Sequence, residues 1–197
     1  MTRRCYGRGG RAASARELPS AFAFSDPRRF PDLTAWARRV PEDWGLVYRH
    51  FGNSQRFNEA GWLSRQAVRR GWTLLIAADA DLALECGAAG VHWPEARLTH
   101  AAAWQRRCPG FVMTASAHSA SALRRAGQAG MDAAFLSPVR PTLSPGAGSP
   151  LGLHRAGLMA RRAGLPVYAL GGMRARDIAH ANRLGLAGIA TVSGVKD

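Results

Sequence analysis

The stretch VMTASAHSASAL, residues 112–123, contains the transition on which the fold assignment depends. It begins as an apolar run, reaches His118, and passes at once into a segment of small residues that is typical of a helix. Ser119 is placed to cap that helix. The pattern predicts a buried strand that leads directly into a helix, with an imidazole at the junction. Such a histidine either transfers protons near pH 7 or fills space while bonding a backbone carbonyl, and its position alone favours neither.

The same alternation recurs along the whole chain. Several helix-like segments end near a glycine, which suits the left-handed position after a helix, and a short apolar run follows each. Because these runs are short and rich in Val, Ile, Leu, Phe and Tyr, they predict strands buried on both faces of a parallel sheet. Eight strands are predicted, at residues 21–25, 45–49, 72–77, 90–93, 111–115, 133–137, 167–170 and 188–192. Helices are predicted between them, at residues 32–40, 58–70, 81–86, 101–107, 120–127, 153–163 and 175–184.

Eight strands that alternate with helices predict a single (β/α)₈ TIM barrel, with an open doubly wound sheet as the alternative. A chain of 197 residues is short for such a barrel, and only residues 193–197 follow the eighth strand. We therefore expect an atypical C-terminal end, at which the last helix is either missing or replaced, for example by the N-terminal arm. The barrel domain is predicted over residues 20–197, after a flexible basic arm at residues 1–19.

The formal net charge of +14 comes almost entirely from arginine, since Lys196 is the only lysine among 27 basic residues. Many arginines occur in pairs late in the predicted helices, which indicates a solvated surface rather than a nucleic-acid interface. A Schiff-base aldolase is excluded, because it needs a lysine amine buried in its site. No apolar run has the length of a membrane span and the first residues lack a signal-peptide core, so a cytoplasmic location without membrane contact is expected.

The active site of a (β/α)₈ barrel lies at the C-terminal ends of its strands. Gly171 and Gly172 follow the seventh predicted strand, and Ser193 and Gly194 follow the eighth. Loops at these two positions commonly offer backbone N–H groups to a phosphate, and glycine lets the ligand approach the backbone closely. The long loop after strand six adds Thr142, either as a donor or as part of a lid. Tight turns alone would also explain the glycines, but two pairs at the expected strands predict a phosphate site.

Spacing alone predicts no metal site. No histidines have metal-ligand spacing, and the three cysteines contain no CxxC pair. Asp79, Asp81 and Glu95 could bind a divalent cation, but helix capping is the simpler explanation for both aspartates.

From about residue 74 onward the sequence resembles the thiamine-phosphate synthase/TenI superfamily. The resemblance lies in the order and spacing of LLIAADADLALECGAAGVHW, TASAHSASALRRAGQAGMDAAFLSPVRPT, PVYALGGM and GLAGIATVSGV. It implies a barrel that binds a thiazole phosphate as its small-molecule partner, and proton transfer by His118 in a TenI-type member. The further positions to which it assigns phosphate or substrate contacts are Arg49, Ser116, Thr142, Gly171, Gly172 and Ser193.

Synthases of this family join a thiazole phosphate to a pyrimidine diphosphate with Mg²⁺, whereas TenI-type members aromatise a thiazole tautomer. Here Ala78 and Arg97 occupy the positions of two magnesium carboxylates, and Phe51 replaces a lysine. Arg97 could replace the metal's charge but cannot coordinate a cation. We therefore expect a TenI-like tautomerase without a cofactor. A full synthase, which would use Mg²⁺, and a non-catalytic phosphate-binding relative are the alternatives, and homo-oligomerisation is left open.

Overall fold

A computed structural model describes residues 17–142 and 148–195, and its strands close into a barrel in chain order. Every neighbouring pair is parallel, and β8 pairs with β1 through Ala21 and Ile189. The predicted (β/α)₈ barrel is confirmed, and the open sheet is wrong. The strands are β1 (Ala21–Phe24), β2 (Gly45–Tyr48), β3 (Thr73–Ala77), β4 (Gly90–Trp93), β5 (Val112–Ala117), β6 (Ala133–Leu136), β7 (Val167–Leu170) and β8 (Gly188–Thr191).

Helices follow the first seven strands and cover the outside of the barrel. Ser119 caps the helix that follows β5, as predicted, since its hydroxyl accepts a hydrogen bond from the Ala122 N–H at 3.1 Å. Short 3₁₀ turns, Glu95–Arg97 and Ala175–Asp177, precede the fourth and seventh helices. The helices are α1 (Leu33–Ala37), α2 (Arg56–Arg70), α3 (Ala80–Cys86), α4 (Leu98–Arg107), α5 (Ala120–Gln128), α6 (Leu153–Arg161) and α7 (Ile178–Arg183).

Aromatic side chains fill the interior of the barrel. Phe22 contacts Phe135 and Tyr168 edge to face, with ring centroids 5.1 Å apart in each pair. Gly45 makes room for this cluster, because a Cβ at that position would lie 2.0 Å from the Phe22 ring. The lower barrel is therefore a packed core, and the space for a ligand lies above it, at the carboxyl ends of the strands.

The described residues before β1 pack under the barrel. Leu18 contacts the interior cluster, and the Tyr168 hydroxyl donates to the Pro19 carbonyl at 2.8 Å. Residues 1–16 of the predicted arm lie outside the described part of the chain, so its flexibility and its replacement of a helix stay predictions. No helix follows β8 in the described residues, which end at Val195. No helix of residues 17–142 and 148–195 is long and apolar enough to cross a membrane.

Candidate functional site

A cavity of about 650 Å³ opens at the carboxyl ends of the strands. Its volume lies within the range of small-molecule sites, which is roughly 300–1,000 Å³. Phe24 and the buried His92 contribute to its lining deep in the barrel. The structure brings all the site residues predicted from the sequence to this one cavity: Arg49, Ser116, His118, Thr142, Gly171, Gly172, Ser193 and Gly194.

The glycine pair after β7 is required by its backbone. Gly171 and Gly172 have φ values of 95° and 64°, in the region that side chains disfavour. A Cβ on Gly172 would also lie 2.5 Å from the Pro141 carbonyl oxygen of the neighbouring loop. The tight-turn explanation is therefore correct for this pair, and it does not compete with a role in anion binding.

Backbone donors are present on the same side of the cavity. Within the described residues, no hydrogen bond uses the N–H groups of Gly172 or Ser193. By contrast, the Gly194 N–H already donates to the Thr191 hydroxyl at 2.8 Å. Gly194 therefore contributes space for a ligand rather than a hydrogen-bond donor. Two main-chain donors beside a glycine turn form the kind of cradle that binds phosphate oxygens.

Arg29 connects this side of the cavity to β1. Its guanidinium donates to the Ser193 hydroxyl at 3.1 Å, and its Nε lies 3.7 Å from Asp26 Oδ2. The same Asp26 oxygen lies 3.4 Å from Nη2 of Arg49, which follows β2. Burial lowers the pKa of Arg49, with Asp26 opposing the shift, but an arginine stays charged at physiological pH. One carboxylate therefore holds two cationic side chains at the mouth.

The charge of the cavity wall is one-sided. Arg29, Arg49 and Arg174 line it, and no Asp or Glu of the described residues does. Asp26, which pairs with two of these arginines, does not itself line the cavity. The mouth is therefore electropositive and suited to anionic ligands.

The wall after β3 and β4 is neutral and mostly apolar. Ala77, Ala78 and Pro94 line it, and the exposed Phe51 also contributes to the cavity lining. Ala78 has a φ of 56°, a conformation that is uncommon for a residue with a side chain other than Asn or Asp. Its N–H donates to the His92 carbonyl at 2.8 Å, which holds the strained residue in place.

The residues at the mouth do not fit a magnesium ion. Mg²⁺ requires oxygen ligands in near-octahedral geometry, and the described residues contain no group of three or more His, Cys, Asp or Glu side chains that could hold a metal. Asp79 caps α3 through the Leu82 N–H and pairs with Arg56 at 2.7 Å. Glu95 pairs with Arg125.

Arg97 does not supply charge to this cavity. It lies exposed in the turn before α4 and is absent from the residues that line the cavity. The positive charge comes instead from Arg29, Arg49 and Arg174, two of which the sequence analysis missed. Arg29 follows a strand end and Arg174 follows the glycine pair, and proximity to those ends was the signal that could have found them.

His118 is exposed at the mouth, just after β5 as predicted. Its Nδ1 lies 2.9 Å from the Ser137 carbonyl oxygen. Because a carbonyl only accepts, Nδ1 carries the proton and Nε2 keeps its lone pair in the neutral ring. The histidine thus bonds a backbone carbonyl and also presents a base to the cavity.

His92, which lies inside β4, is a neutral group on the cavity floor. Its ring nitrogens lie 3.0 Å from the Thr114 hydroxyl and 2.9 Å from the Ser116 hydroxyl. Burial lowers its pKa to about 3, and the charge of Arg49 adds to that shift. At neutral pH the ring is uncharged, and it orients the Ser116 hydroxyl that lines the cavity.

Comparison with known proteins gives a consistent family. The profile described as thiamine monophosphate synthase matches residues 47–195. The sequence is 34% identical over 134 residues to a Geobacter sulfurreducens protein provisionally named thiamine-phosphate synthase, covering 68% of this chain and 63% of that protein. It is 30% identical over 148 residues to the thiamine-phosphate synthase of Chloroflexus aurantiacus, covering 75% and 68%. The chain thus spans less than two thirds of the length of the Geobacter relative.

A solved structure supports the architecture. The thiamine phosphate pyrophosphorylase of Pyrococcus furiosus superposes with a TM-score of 0.75, covering 91% of this chain and 87% of its own. The two sequences are 19% identical, so this similarity concerns the fold alone.

Proposed function

The chain belongs to the thiamine monophosphate synthase family, and from that membership we propose that it joins a thiazole phosphate to a pyrimidine diphosphate. The names of the relatives favour this reaction over the tautomerase that the sequence analysis placed first. Because the chain spans only part of the Geobacter relative, the activity and both substrates are part of the proposal.

The observation that carries the proposal is that one cavity contains two sets of donors suited to anions. The N–H groups of Gly172 and Ser193 suit a phosphate monoester, with Thr142 at the edge of the same region. Arg29 and Arg49 bring further positive charge at the ends of β1 and β2. The two regions adjoin, because Arg29 donates to the Ser193 hydroxyl. One phosphate accounts for the backbone donors, and a diphosphate co-substrate accounts for the two arginines.

The proposed reaction suits a cavity lined by guanidinium groups. The thiazole ring nitrogen forms a bond to carbon while the bond from that carbon to the diphosphate breaks. The diphosphate leaves with the bonding electrons, so negative charge develops beside the guanidiniums, which stabilise it. No proton has to move in this step. The thiazole phosphate anchors its ring from a distance, so binding energy is applied away from the reacting atoms.

A second candidate is the thiazole tautomerase reaction, and the geometry of His118 favours it. The Ser137 carbonyl fixes the ring tautomer and leaves Nε2 available as a base at the mouth. His118 would take a proton from a ring carbon and return one elsewhere on the same ring. Loss of such a general base costs about 10²–10⁴ in rate.

Three variants at two positions, assayed in both reactions, separate the candidates. For a synthase, Arg49→Ala lowers the rate of thiamine phosphate formation more than His118→Ala does. Arg49→Lys has an intermediate rate, because lysine keeps the positive charge but lacks the paired donors of the guanidinium. For a tautomerase the order reverses, with a loss of about 10²–10⁴ in His118→Ala. No thiamine phosphate from wild-type protein would reject the synthase proposal. Saturable phosphate-ligand binding with neither reaction would leave the non-catalytic alternative.

Other expectations stay predictions. The cytoplasmic location, the lack of nucleic-acid and membrane contacts, and homo-oligomerisation are not decided by the fold or the family.

A further inference from the structure

We propose that Arg29 and Arg49 bind a diphosphate group directly, without a divalent cation, and that Mg²⁺ weakens this binding. The inference rests on the proposed function for the identity of the diphosphate. It departs from the Mg²⁺ requirement that the family resemblance implies, because the residues at this mouth do not fit that ion.

The two arginines are positioned before any ligand arrives. Asp26 Oδ2 lies 3.4 Å from Arg49 Nη2 and 3.7 Å from Arg29 Nε. The other oxygen of Asp26 accepts the Arg28 N–H at 3.0 Å, which fixes the carboxylate. Arg29 also donates to Ser193. Side chains that are already held lose less entropy on binding and stabilise charge without rearranging.

The guanidinium group matches the proposed ligand. Each arginine presents donors in a planar fork that can contact two phosphate oxygens at once. Asp26 neutralises one of the two positive charges, so Arg29, Arg49 and Asp26 together keep a net positive charge, to which Arg174 adds another. A diphosphate carries enough negative charge and enough oxygens to use both forks.

The same arrangement disfavours Mg²⁺. A free cation entering the mouth meets three arginines, and no carboxylate of residues 17–142 and 148–195 lines the cavity. A Mg²⁺–diphosphate complex has two fewer negative charges than the free diphosphate, and the ion occupies oxygens that the guanidiniums would contact. Binding of the complex is therefore weaker than binding of the free anion.

Titration of inorganic pyrophosphate into the full chain tests this inference by calorimetry, first with EDTA and then with excess Mg²⁺ at matched ionic strength. We expect saturable binding in EDTA and an affinity about tenfold lower in Mg²⁺. Arg29→Ala and Arg49→Ala each lower the affinity in EDTA by about tenfold or more, since each removes charge-assisted hydrogen bonds. The matched control is Arg124→Ala, which removes the same charge from an exposed position on α5 and should bind like wild type.

Binding that requires Mg²⁺ would overturn the inference, as would Arg29→Ala and Arg49→Ala proteins that bind like Arg124→Ala. Arg49→Lys guards against a folding defect, because it retains charge and should lose less affinity than Arg49→Ala. The proposed function fails separately. Pyrophosphate binding in EDTA without thiamine phosphate formation would reject the synthase and keep the inference. Product formation only with Mg²⁺ would keep the synthase and reject the inference.

Discussion

The mouth of the barrel has two sides that differ in how they make contacts. On the side of β7, β8 and β1, the donors are the N–H groups of Gly172 and Ser193, with Arg29 beside them. On the side of β3 and β4, the wall consists of side chains such as Ala78 and Pro94, and no charged side chain from the described part of the chain lines it. The first side can hold an anion, and the second has no ligands for the cation that the family resemblance places there.

The difference shows which part of a site the fold itself maintains. Backbone donors follow from the turn geometry after β7 and β8, so they remain as long as the glycines do. A carboxylate site depends on side chains alone and can disappear without any change in the backbone. Ala78 illustrates this point, because it keeps a φ of 56° and its bond to the His92 carbonyl although it has no polar side chain. That conformation is one that Asn and Asp tolerate well.

On the neutral side of the mouth, the largest expected effect is a loss of folding stability at low pH. His92 has its pKa lowered to about 3, from an unfolded value near 6.5. The unfolded chain therefore binds more protons between these values, and stability is lost as the pH falls from 6.5 towards 3. The loss attributable to His92 is on the order of 4 kcal/mol. Urea unfolding across this pH range measures it.

His92→Gln is the comparison for that experiment. It removes the titrating ring, so its free energy of unfolding should fall less steeply with decreasing pH than that of wild type. The pKa of His50 is also lowered by burial, but it contributes to both proteins and cancels in the difference. Parallel curves for the two proteins would show that His92 is not the buried neutral group described.

On the side of β7, β8 and β1, the next largest effect on stability is expected from substitution of Gly172. An alanine there must keep a φ of 64° and place its Cβ 2.5 Å from the Pro141 carbonyl oxygen. We expect Gly172→Ala to lose about 2–3 kcal/mol of stability and to bind phosphate more weakly. The matched control is Gly52→Ala, with a φ of 74° and no atom within 4 Å, which should lose only about 1 kcal/mol. Equal losses in denaturant unfolding would mean that the close approach has no energetic role.

The sequence predicted the eight strands well because both faces of each are buried, so the apolar runs stand out without any knowledge of pairing. The placement of His118 and the glycine pairs at one rim followed from the barrel rule alone. Each predicted site residue lines the cavity for the same reason.

Contacts that depend on barrel closure could not be read from the sequence. Arg29 reaches Ser193 only because β8 pairs with β1, which joins residues 164 positions apart. The low pKa of His92 depends on burial under Phe24 and Phe135, and no local pattern encodes it. The sequence predicted Arg49 at the mouth but not Arg29 or Arg174, because arginines on a chain with a net charge of +14 are typical of a solvated surface.

A carboxylate restored to the neutral side should oppose anion binding. Ala78 lines the cavity, so Ala78→Asp adds a negative charge near the arginines. We expect the affinity for pyrophosphate in EDTA to fall about tenfold, because like charges about 12 Å apart across a cavity still repel by about 1.4 kcal/mol at an effective dielectric constant near 20. Ala78→Asn is the matched control, since it has nearly the same shape and tolerates the same backbone without the charge. If calorimetry gave equal pyrophosphate affinities for the two variants, a charge at position 78 would have no effect on the bound anion.

The smallest expected effect concerns the strain at Ala78 itself. A left-handed alanine costs about 1–2 kcal/mol, whereas replacing alanine by glycine costs about 0.5–1 kcal/mol in lost chain entropy. Ala78→Gly should therefore stabilise the protein by about 0.5 kcal/mol. Ala77→Gly, one residue earlier in β3, relieves no such strain and should destabilise it by about 1 kcal/mol. Urea unfolding measures both changes. A higher free energy of unfolding for Ala78→Gly and a lower one for Ala77→Gly would show that the backbone at Ala78 is strained. Equal losses of stability in the two variants would show that it is not strained.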